Sequence, residues 1–277
     1  MGIGYKALSI LKKLASDLVR LGQSQEFVQI GSFGYQTITI SIDDLALLIG
    51  PDNVNETLVR VDIYSSELQK AKRPLSIPLG DLSKIFSTGT MLKKLKIDRV
   101  KGLELALKAG SFLFNTDSIY EKIQCKQTAM DIIPHYGTEL ILDLCVPVEK
   151  GLHNKFDIVL DGGTTEHCFN VPQVLSNAVN MVALNGFVFH ILPLTWPNHG
   201  FYNFNPCLFY EFYLANGFSV VHCLQSFNYG DDPLIPLPPA AHFPLPPENV
   251  VLFFAARKIK QVDEIVYPIQ GVYKPLL

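Results

Sequence analysis

The chain alternates between two spacings of hydrophobic residues, and these spacings predict helices and strands in turn. Over residues 3–21, apolar side chains recur at three- and four-residue intervals, which predicts an amphipathic helix. A short apolar run at 27–31 then predicts a first strand that ends in glycine. The segment Ser41 to Asp44 resembles a helix capping box. A second, short helix is therefore expected to begin near residue 42 and to end by Gly50.

From residue 112 onward the alternation is regular. The predicted strands are residues 126–131, 139–144, 156–161, 186–192, 219–225 and 250–255. The predicted helices are residues 112–123, 171–183 and 208–215. Strands that alternate with helices favour an α/β fold with a parallel, doubly wound sheet. Seven prolines between Pro233 and Pro247 exclude a crossover helix between the last two strands, so we expect those strands to form an antiparallel hairpin at one edge.

Residues 51–110 follow neither spacing for long. They lie between the first strand and the strand at 126–131, in a connection far longer than one helix requires. Their mixture of apolar and charged residues favours order. We expect a mostly helical insertion, with short helices near 81–86 and 99–109, beside the sheet or over a pocket mouth. The chain 1–277 is then a single domain with 51–110 as an insertion or lid.

Composition narrows the class of protein. The chain has 277 residues, of which 48% are hydrophobic and 18% charged, and its net charge is −3. This balance gives no nucleic-acid footprint, and no apolar run approaches the roughly 20 residues that span a bilayer. Five scattered cysteines without a CxxC pair indicate reduced thiols. We therefore expect a cytoplasmic protein with neither a nucleic-acid nor a membrane partner, and its oligomeric state stays open.

Two polar segments follow neighbouring predicted strands. The strand at 156–161 runs into a glycine turn, a polar cluster and a helix, a layout typical of a ligand site at the carboxyl end of a parallel strand. The strand at 186–192 is followed by a segment rich in aromatic residues. Candidate residues in the two segments are Thr164, Glu166, His167, Trp196, His199, Phe201 and Tyr202. We expect these segments to face each other across one pocket, with the two histidine rings within about 10 Å.

The pair Glu166 and His167 admits three interpretations. It could cap the following helix, because it stands close to the start of that helix. It could orient or deprotonate a bound molecule. It is also a minimal metal-binding pair, but no HxH, HxxxH or carboxylate cluster completes it, so no metal site is predicted. His190, inside an apolar strand, is expected to be a hydrogen-bonded core residue.

The same segments resemble the class I S-adenosylmethionine-dependent methyltransferases. The resemblance covers roughly residues 115–258, with 27–31 as the first strand. It is similar to a methyltransferase-like group in which Gly-Thr-Thr-Glu-His (163–167) follows the fourth strand and His-Gly-Phe-Tyr (199–202) follows the fifth. It implies a mostly parallel, Rossmann-like seven-stranded sheet with a terminal antiparallel hairpin. It also implies S-adenosyl-L-methionine as cofactor, and methyl transfer.

Site residues follow from the resemblance position by position. It implies a first-strand glycine loop under the methionine part of the cofactor, an acid on the ribose, and residues beside the adenine and the methyl group. The matching positions are Gly31 and Gly34 for the glycine loop, and Asp131 for the ribose. They are Asp143 and Leu144 beside the adenine, and Asp161, Gly162 and Thr164 beside the methyl group. The acceptor side is formed by Thr164, Glu166, Trp196, Phe201 and Tyr202. If the acceptor is a hydroxyl, the base is His167 or His199.

The resemblance implies an enzyme that methylates a small-molecule acceptor at oxygen or nitrogen. One rival is a catalytically inactive methyltransferase-like scaffold or cofactor-binding protein. It is favoured by Ser32-Phe33-Gly34, which stands where the family has a glycine repeat. A nucleotide-dependent oxidoreductase is a weaker rival, because no G-x-G-x-x-G follows the first strand. The acceptor itself cannot be read from the sequence.

Overall fold

The computed structural model describes residues 2–23, 26–34, 36–38, 40, 42–59, 75–76, 113–134, 138–227, 233–237 and 249–276. Its α-helices are α1 Tyr5–Arg20, α2 Ile42–Ile49, α3 Pro51–Thr57, α4 Thr116–Lys122, α5 Val171–Met181 and α6 Pro206–Ala215. Its strands are β1 Gly2–Ile3, β2 Val28–Phe33, β3 Thr37–Ile38, β4 Leu58–Val59, β5 Leu75–Ser76, β6 Leu113–Asn115, β7 Cys125–Asp131, β8 Thr138–Ile141, β9 Phe156–Asp161, β10 Val182–Thr195, β11 Phe218–Phe227, β12 Ile235–Pro236 and β13 Val250–Lys258. Short 3-10 turns lie at Lys150–Leu152, Thr165–His167 and Gly271–Leu276.

The main sheet confirms the predicted fold class. Its strand order is β12-β11-β13-β10-β9-β2-β7-β8. The strands from β8 to β10 run parallel. β13 is antiparallel to both β10 and β11, between which it lies. This is the doubly wound sheet with a terminal antiparallel hairpin that the class I methyltransferase resemblance implies. The eighth strand, beyond the seven expected, is the two-residue β12.

Helices cover both faces of this sheet. On one face, the apolar stripe of α1 packs with α2 against the sheet, and its side chains Leu8, Leu11, Leu14 and Leu18 are buried. On the other face, α5 and α6 cover a second core. The predicted helix over 3–21 is thus confirmed. No helix in the ranges described above is long and apolar enough to cross a membrane.

The centre of the sheet depends on a close contact between β2 and β9. Gly31 pairs with Val159, and a Cβ at Gly31 would lie 2.6 Å from the ring of Phe156. The absence of a side chain therefore makes room for that ring. β2 continues to Phe33, so Gly31 lies inside the strand. Its predicted place in the loop beyond the strand was wrong, because the apolar pattern was ended at the glycine.

Two other element boundaries differ from the predictions. Residues 112–123 were predicted as one helix, but β6 at Leu113–Asn115 precedes α4. β10 is also longer than the predicted 186–192, and Pro193 does not end it. The register between β10 and β13 shifts between Pro193 and Thr195. Such an irregularity accommodates a proline within a strand.

The insertion at 51–110 is described only at 51–59 and 75–76, which form α3, β4 and β5. β4 and β5 each pair with β6 in a three-stranded sheet separate from the main one. The other residues of the segment, including the helices expected near 81–86 and 99–109, lie outside the described ranges. The helical insertion, the lid and the single-domain organisation therefore stay predictions.

Candidate functional site

Asp161, at the end of β9, organises the loop that follows it. It is fully buried, and Oδ1 accepts the backbone N–H groups of Thr164 (3.0 Å) and Thr165 (3.3 Å). Oδ2 accepts the Thr165 hydroxyl and lies 2.9 Å from Nδ1 of His190 on β10. Burial raises the pKa of Asp161, but the hydrogen bond and charge of His190 and the hydrogen bonds from Thr165 and Thr164 together outweigh burial, so the net shift of this pKa is downward. The prediction that Asp161 faces a ligand is corrected, because its oxygens hold its own loop.

His190 completes this buried network. Its Nε2 lies 2.6 Å from the hydroxyl of Tyr213 on α6, and both side chains are buried. Both ring nitrogens are therefore hydrogen-bonded, as buried polar atoms require. The prediction of a satisfied core histidine is confirmed.

The carboxyl ends of β2, β7 and β9 meet at Gly34. Gly34 has φ +69°, a conformation that favours glycine. A Cβ at Gly34 would lie 2.7 Å from Oγ1 of Thr164 and 3.9 Å from Oδ2 of Asp131. The Thr164 hydroxyl also donates to the Phe33 carbonyl at 2.7 Å. The structure thus brings the predicted residues Gly34, Asp131 and Thr164 together. The Gly34 backbone, which carries no side chain, lies beside the Asp131 carboxylate.

Sequence reasoning missed Gln36 at this edge. Its side chain is only 2% exposed, and Nε2 donates to the Phe33 carbonyl at 2.7 Å. A Cβ at Gly162 would lie 2.6 Å from Cδ of Gln36, so that glycine makes room for the amide. Among the residues described, Oε1 of Gln36 has no hydrogen-bond partner. The sequence holds no signal for this contact, because the two residues lie on different strand ends.

Asp143 and Leu144, in the loop after β8, have different surroundings. Oδ1 of Asp143 accepts the N–H of Cys145 at 2.8 Å. Leu144 is buried in the core beneath α5. The prediction that Leu144 borders a ligand is therefore corrected, since its side chain points into the core. The ligand role of Asp143 stays a prediction.

The loop after β10 docks on Glu166. The N–H of Phe201 donates to the Glu166 carbonyl at 2.7 Å. Gly200 has φ +79°, and a Cβ there would lie 2.7 Å from the same carbonyl oxygen. Only glycine allows this approach without strain. The two polar segments are therefore in direct contact, and a pocket between them stays a prediction.

The meeting point gathers three polar side chains. Oε1 of Glu166 lies 3.4 Å from Nε2 of His199 and 3.8 Å from Nε2 of His167. The centroids of the two histidine rings are 5.2 Å apart, within the expected 10 Å. The His199 ring stacks on Trp196 at 4.6 Å. His167, at the end of its 3-10 turn, is half-exposed.

Burial controls the charge of this cluster. Glu166 is 0% exposed, and burial followed by the charge of Asp161 raises its pKa to about 8. Burial also lowers the pKa of His167 and of His199. Within the described ranges, the two carboxyl oxygens of Glu166 and the Nε2 atom of His199 have no hydrogen-bond partner. Because their pKa values are lowered, His167 and His199 are unprotonated at neutral pH.

Two of the three interpretations of Glu166 and His167 change with this geometry. Helix capping is not found, because the N-cap of α5 is Asn170 and the Glu166 carboxyl makes no hydrogen bond in the described part of the chain. The premise against a metal site was also wrong. His199 offers a third possible ligand atom, and the possible ligand atoms of the three residues lie within 4.8 Å of one another.

Aromatic side chains line the surface beside this cluster. Phe169 is 74% and Phe201 is 66% exposed, and their rings meet edge to face with centroids 5.8 Å apart. The Tyr202 hydroxyl donates to the Phe169 carbonyl at 3.1 Å. The predicted role of Phe201 and Tyr202 in holding an acceptor stays a prediction. Phe169 was missed, although it follows the polar cluster directly.

No family model and no curated protein matches the sequence. Several solved structures do. A 1,6-didemethyltoxoflavin-N1-methyltransferase from Burkholderia thailandensis is 15% identical over 51% of this chain and 64% of its own, with a TM-score of 0.35. TehB from Haemophilus influenzae is 13% identical over 64% of this chain and 65% of its own, with a TM-score of 0.32. A branched-chain polyamine synthase from Thermus thermophilus is 10% identical over 76% of this chain and 67% of its own, with a TM-score of 0.31. The chain thus spans less than two thirds of the Burkholderia and Haemophilus proteins.

Proposed function

We propose that the protein is an S-adenosyl-L-methionine-dependent methyltransferase that acts on a small-molecule acceptor at oxygen or nitrogen. The observation that carries this proposal is the junction of Gly34, Asp131 and Thr164 at the carboxyl edge of the sheet. In open α/β sheets, ligands bind outside the carboxyl ends of the strands, where the strand order reverses. Here β2 and β9 are neighbours. From β2 the chain continues outward to β7 and β8 on one side, and from β9 it continues to β10 on the other side, so the strand order reverses between β2 and β9.

The residues at this junction fit the cofactor. The Asp131 carboxylate can accept hydrogen bonds from two ribose hydroxyls at once. Gly34 has no side chain to block the approach of a ligand to its backbone. Within the described part of the chain no donor reaches the buried Oε1 of Gln36, and the ammonium of the methionine part would supply one. When bound, the cofactor supplies a methyl group on a sulfonium that is already a good leaving group.

The chain's own task is then mainly to position the acceptor. Asp161 and His190 fix the loop that carries Thr164 and Glu166, so these side chains are held before a ligand arrives. The exposed rings of Phe169 and Phe201 offer an apolar surface for a planar or apolar acceptor.

A hydroxyl acceptor must also lose a proton. The lowered pKa values of His167 and His199 keep both imidazoles free to accept one at neutral pH. His167 is the better base of the two for a molecule arriving from solvent, because it is half-exposed. An amine or carboxylate acceptor needs no base, and the same side chains would then only orient it.

Calorimetric titration with S-adenosylhomocysteine tests the proposal. We expect the wild-type chain to bind it and Asp131→Ala to weaken binding at least tenfold, about 1.4 kcal/mol. The matched control is Asp263→Ala, which removes an exposed carboxylate after β13. Because β13 is antiparallel to β10, this residue follows a strand end on the side of the sheet where the parallel strands begin, away from their carboxyl ends. Unchanged affinity in Asp131→Ala removes that residue from the site.

One observation favours the second candidate, an inactive scaffold. The Gln36 amide fills the space above Gly162, next to the loop that lacks the family's glycine repeat. If this side chain closes the site, wild type gives no heat with S-adenosylhomocysteine, and Gln36→Ala restores binding. Binding by wild type contradicts this second candidate.

A further inference from the structure

The polar groups of three side chains, Glu166, His167 and His199, converge on one point beside the proposed acceptor surface. Both oxygens of Glu166 and Nε2 of His199 are buried and have no partner among the described residues. Nε2 of His167 lies 3.8 Å from the same carboxylate oxygen. Leaving a buried polar atom without a hydrogen-bond partner costs free energy, so the cluster as it stands is unfavourable. A ligand that bonds all three groups would remove this cost.

We propose that Glu166, His167 and His199 form a binding site for a divalent transition-metal ion of the Zn²⁺ class. Their ligand atoms lie within 4.8 Å of one another, and the contact between Glu166 and His199 measures 3.4 Å. Tetrahedral zinc with bonds of roughly 2.0–2.1 Å separates its ligand atoms by about 3.4 Å. The pair Glu166 and His199 already meets this spacing. Only His167 must move inward, and its half-exposed side chain is free to do so.

The donor set selects the class of metal. Two imidazole nitrogens and one carboxylate oxygen suit Zn²⁺ and its neighbours in the first transition row. Mg²⁺ and Ca²⁺ prefer oxygen ligands, which the site does not supply in number. Three protein ligands leave a coordination position open, as in zinc sites that bind a small molecule or water.

The backbone prepares the site before any ion binds. The ligands come from two segments, and the hydrogen bond from Phe201 N–H to the Glu166 carbonyl joins them. The contact of Gly200 with the same carbonyl keeps the segments close. Stacking on Trp196 holds the His199 ring in place. Preorganisation of this kind reduces the ordering that binding would otherwise require.

Metal binding does not rest on the proposed methyl transfer, because the three ligands belong to the chain alone. If both proposals hold, the histidines act as metal ligands instead of free bases. An acceptor hydroxyl at the open position would then lose its proton more easily, because a bound metal lowers the pKa of a coordinated hydroxyl.

Titration of the chelator-treated full chain with ZnCl₂, followed by calorimetry, tests the site directly. We expect one ion per chain, and at least about tenfold weaker binding in each of Glu166→Gln and His199→Ala. The matched control is His153→Ala, which removes an exposed histidine from the end of another 3-10 turn and should bind zinc as wild type does. MgCl₂ should give no saturable binding at this site.

CoCl₂ provides a readout that needs no variant. Wild type should develop the intense visible absorption of four-coordinate Co²⁺, and ZnCl₂ should abolish it by displacement. Absence of stoichiometric Zn²⁺ and Co²⁺ binding in wild type overturns the proposal, and so does an equal loss in His153→Ala. Neither result bears on S-adenosylhomocysteine binding, so the two proposals can fail separately.

Discussion

At the scale of single residues, the site depends on groups that the structure uses indirectly. Asp161 and His190 contact no proposed ligand, yet their buried pair fixes the loop that carries Thr164 and Glu166. Gly200 has a similar indirect role, since its missing side chain lets the loop after β10 reach the Glu166 carbonyl. Such positions combine with the polar side chains to form the site.

Gly200→Ala tests this role. The substitution places a Cβ 2.7 Å from the Glu166 carbonyl oxygen at φ +79°, so both sterics and backbone conformation oppose it. We expect the free energy of unfolding to fall by at least about 1–2 kcal/mol in urea denaturation. The control is Gly151→Ala, where a Cβ meets no atom within 4 Å. It should change stability by less than about 0.5 kcal/mol. Equal effects of the two substitutions would show that the Gly200 contact is unimportant.

Some residues of the site could be predicted from the sequence, and others could not. The resemblance implied Gly34 and Asp131, and the polar segments after two predicted strands pointed to Glu166, His167 and His199. The ligand roles of all five stay predictions. Sequence reasoning could not place Gln36 beside Gly162, nor show that His199 lies close enough to Glu166 and His167 to bind a metal ion with them. Both depend on which strand ends become neighbours and on how closely two loops approach.

At the scale of elements, α5 ends against a buried lysine. Nζ of Lys258, on β13, donates to the carbonyls of Val179 and Val182 at 2.9 Å and to Oδ1 of Asn154 at 3.0 Å. The last carbonyls of a helix have no partner within it, and a cation near them is favourable. Lys258 therefore joins the end of α5 to the hairpin strand.

Lys258→Met should lower the free energy of unfolding by about 1–3 kcal/mol, because buried carbonyls lose their donor while the apolar stem is kept. Thermal or urea unfolding followed by circular dichroism measures the change. Lys260→Met is the matched control, since that side chain is exposed two residues further on. If both variants lose equal stability, the contact of Lys258 with α5 contributes nothing specific.

Elements with a clear period were predicted well, and those without one were not. The stripe of α1 and the buried run of β9 were recognisable, because one face or both faces of each lie in the core. The join of β6 and α4 was missed, since a three-residue strand is too short to show a period. β10 was predicted too short, because its irregular pairing tolerates Pro193.

At the scale of the whole molecule, the strand order explains why the site lies where it does. β2 and β9 lie side by side at the centre, so the loops after them meet, and β10 brings the 196–202 segment next to the same edge. The sequence predicted this class of sheet from the alternation of elements and the proline-rich connection. The position of β13 between β10 and β11 did not follow from alternation, because pairing partners are set by contacts distant in the chain.

Paired calorimetric titrations of the wild-type chain with S-adenosylhomocysteine and with NAD show whether this edge of the sheet binds S-adenosyl-L-methionine. S-adenosylhomocysteine and NAD share an adenosine but carry different groups on its 5′ carbon, so the comparison separates a methyltransferase site from a general nucleotide site. We expect saturable binding of S-adenosylhomocysteine, one molecule per chain, and no binding of NAD under the same conditions. Binding of NAD alone, or of neither compound, would contradict this expectation.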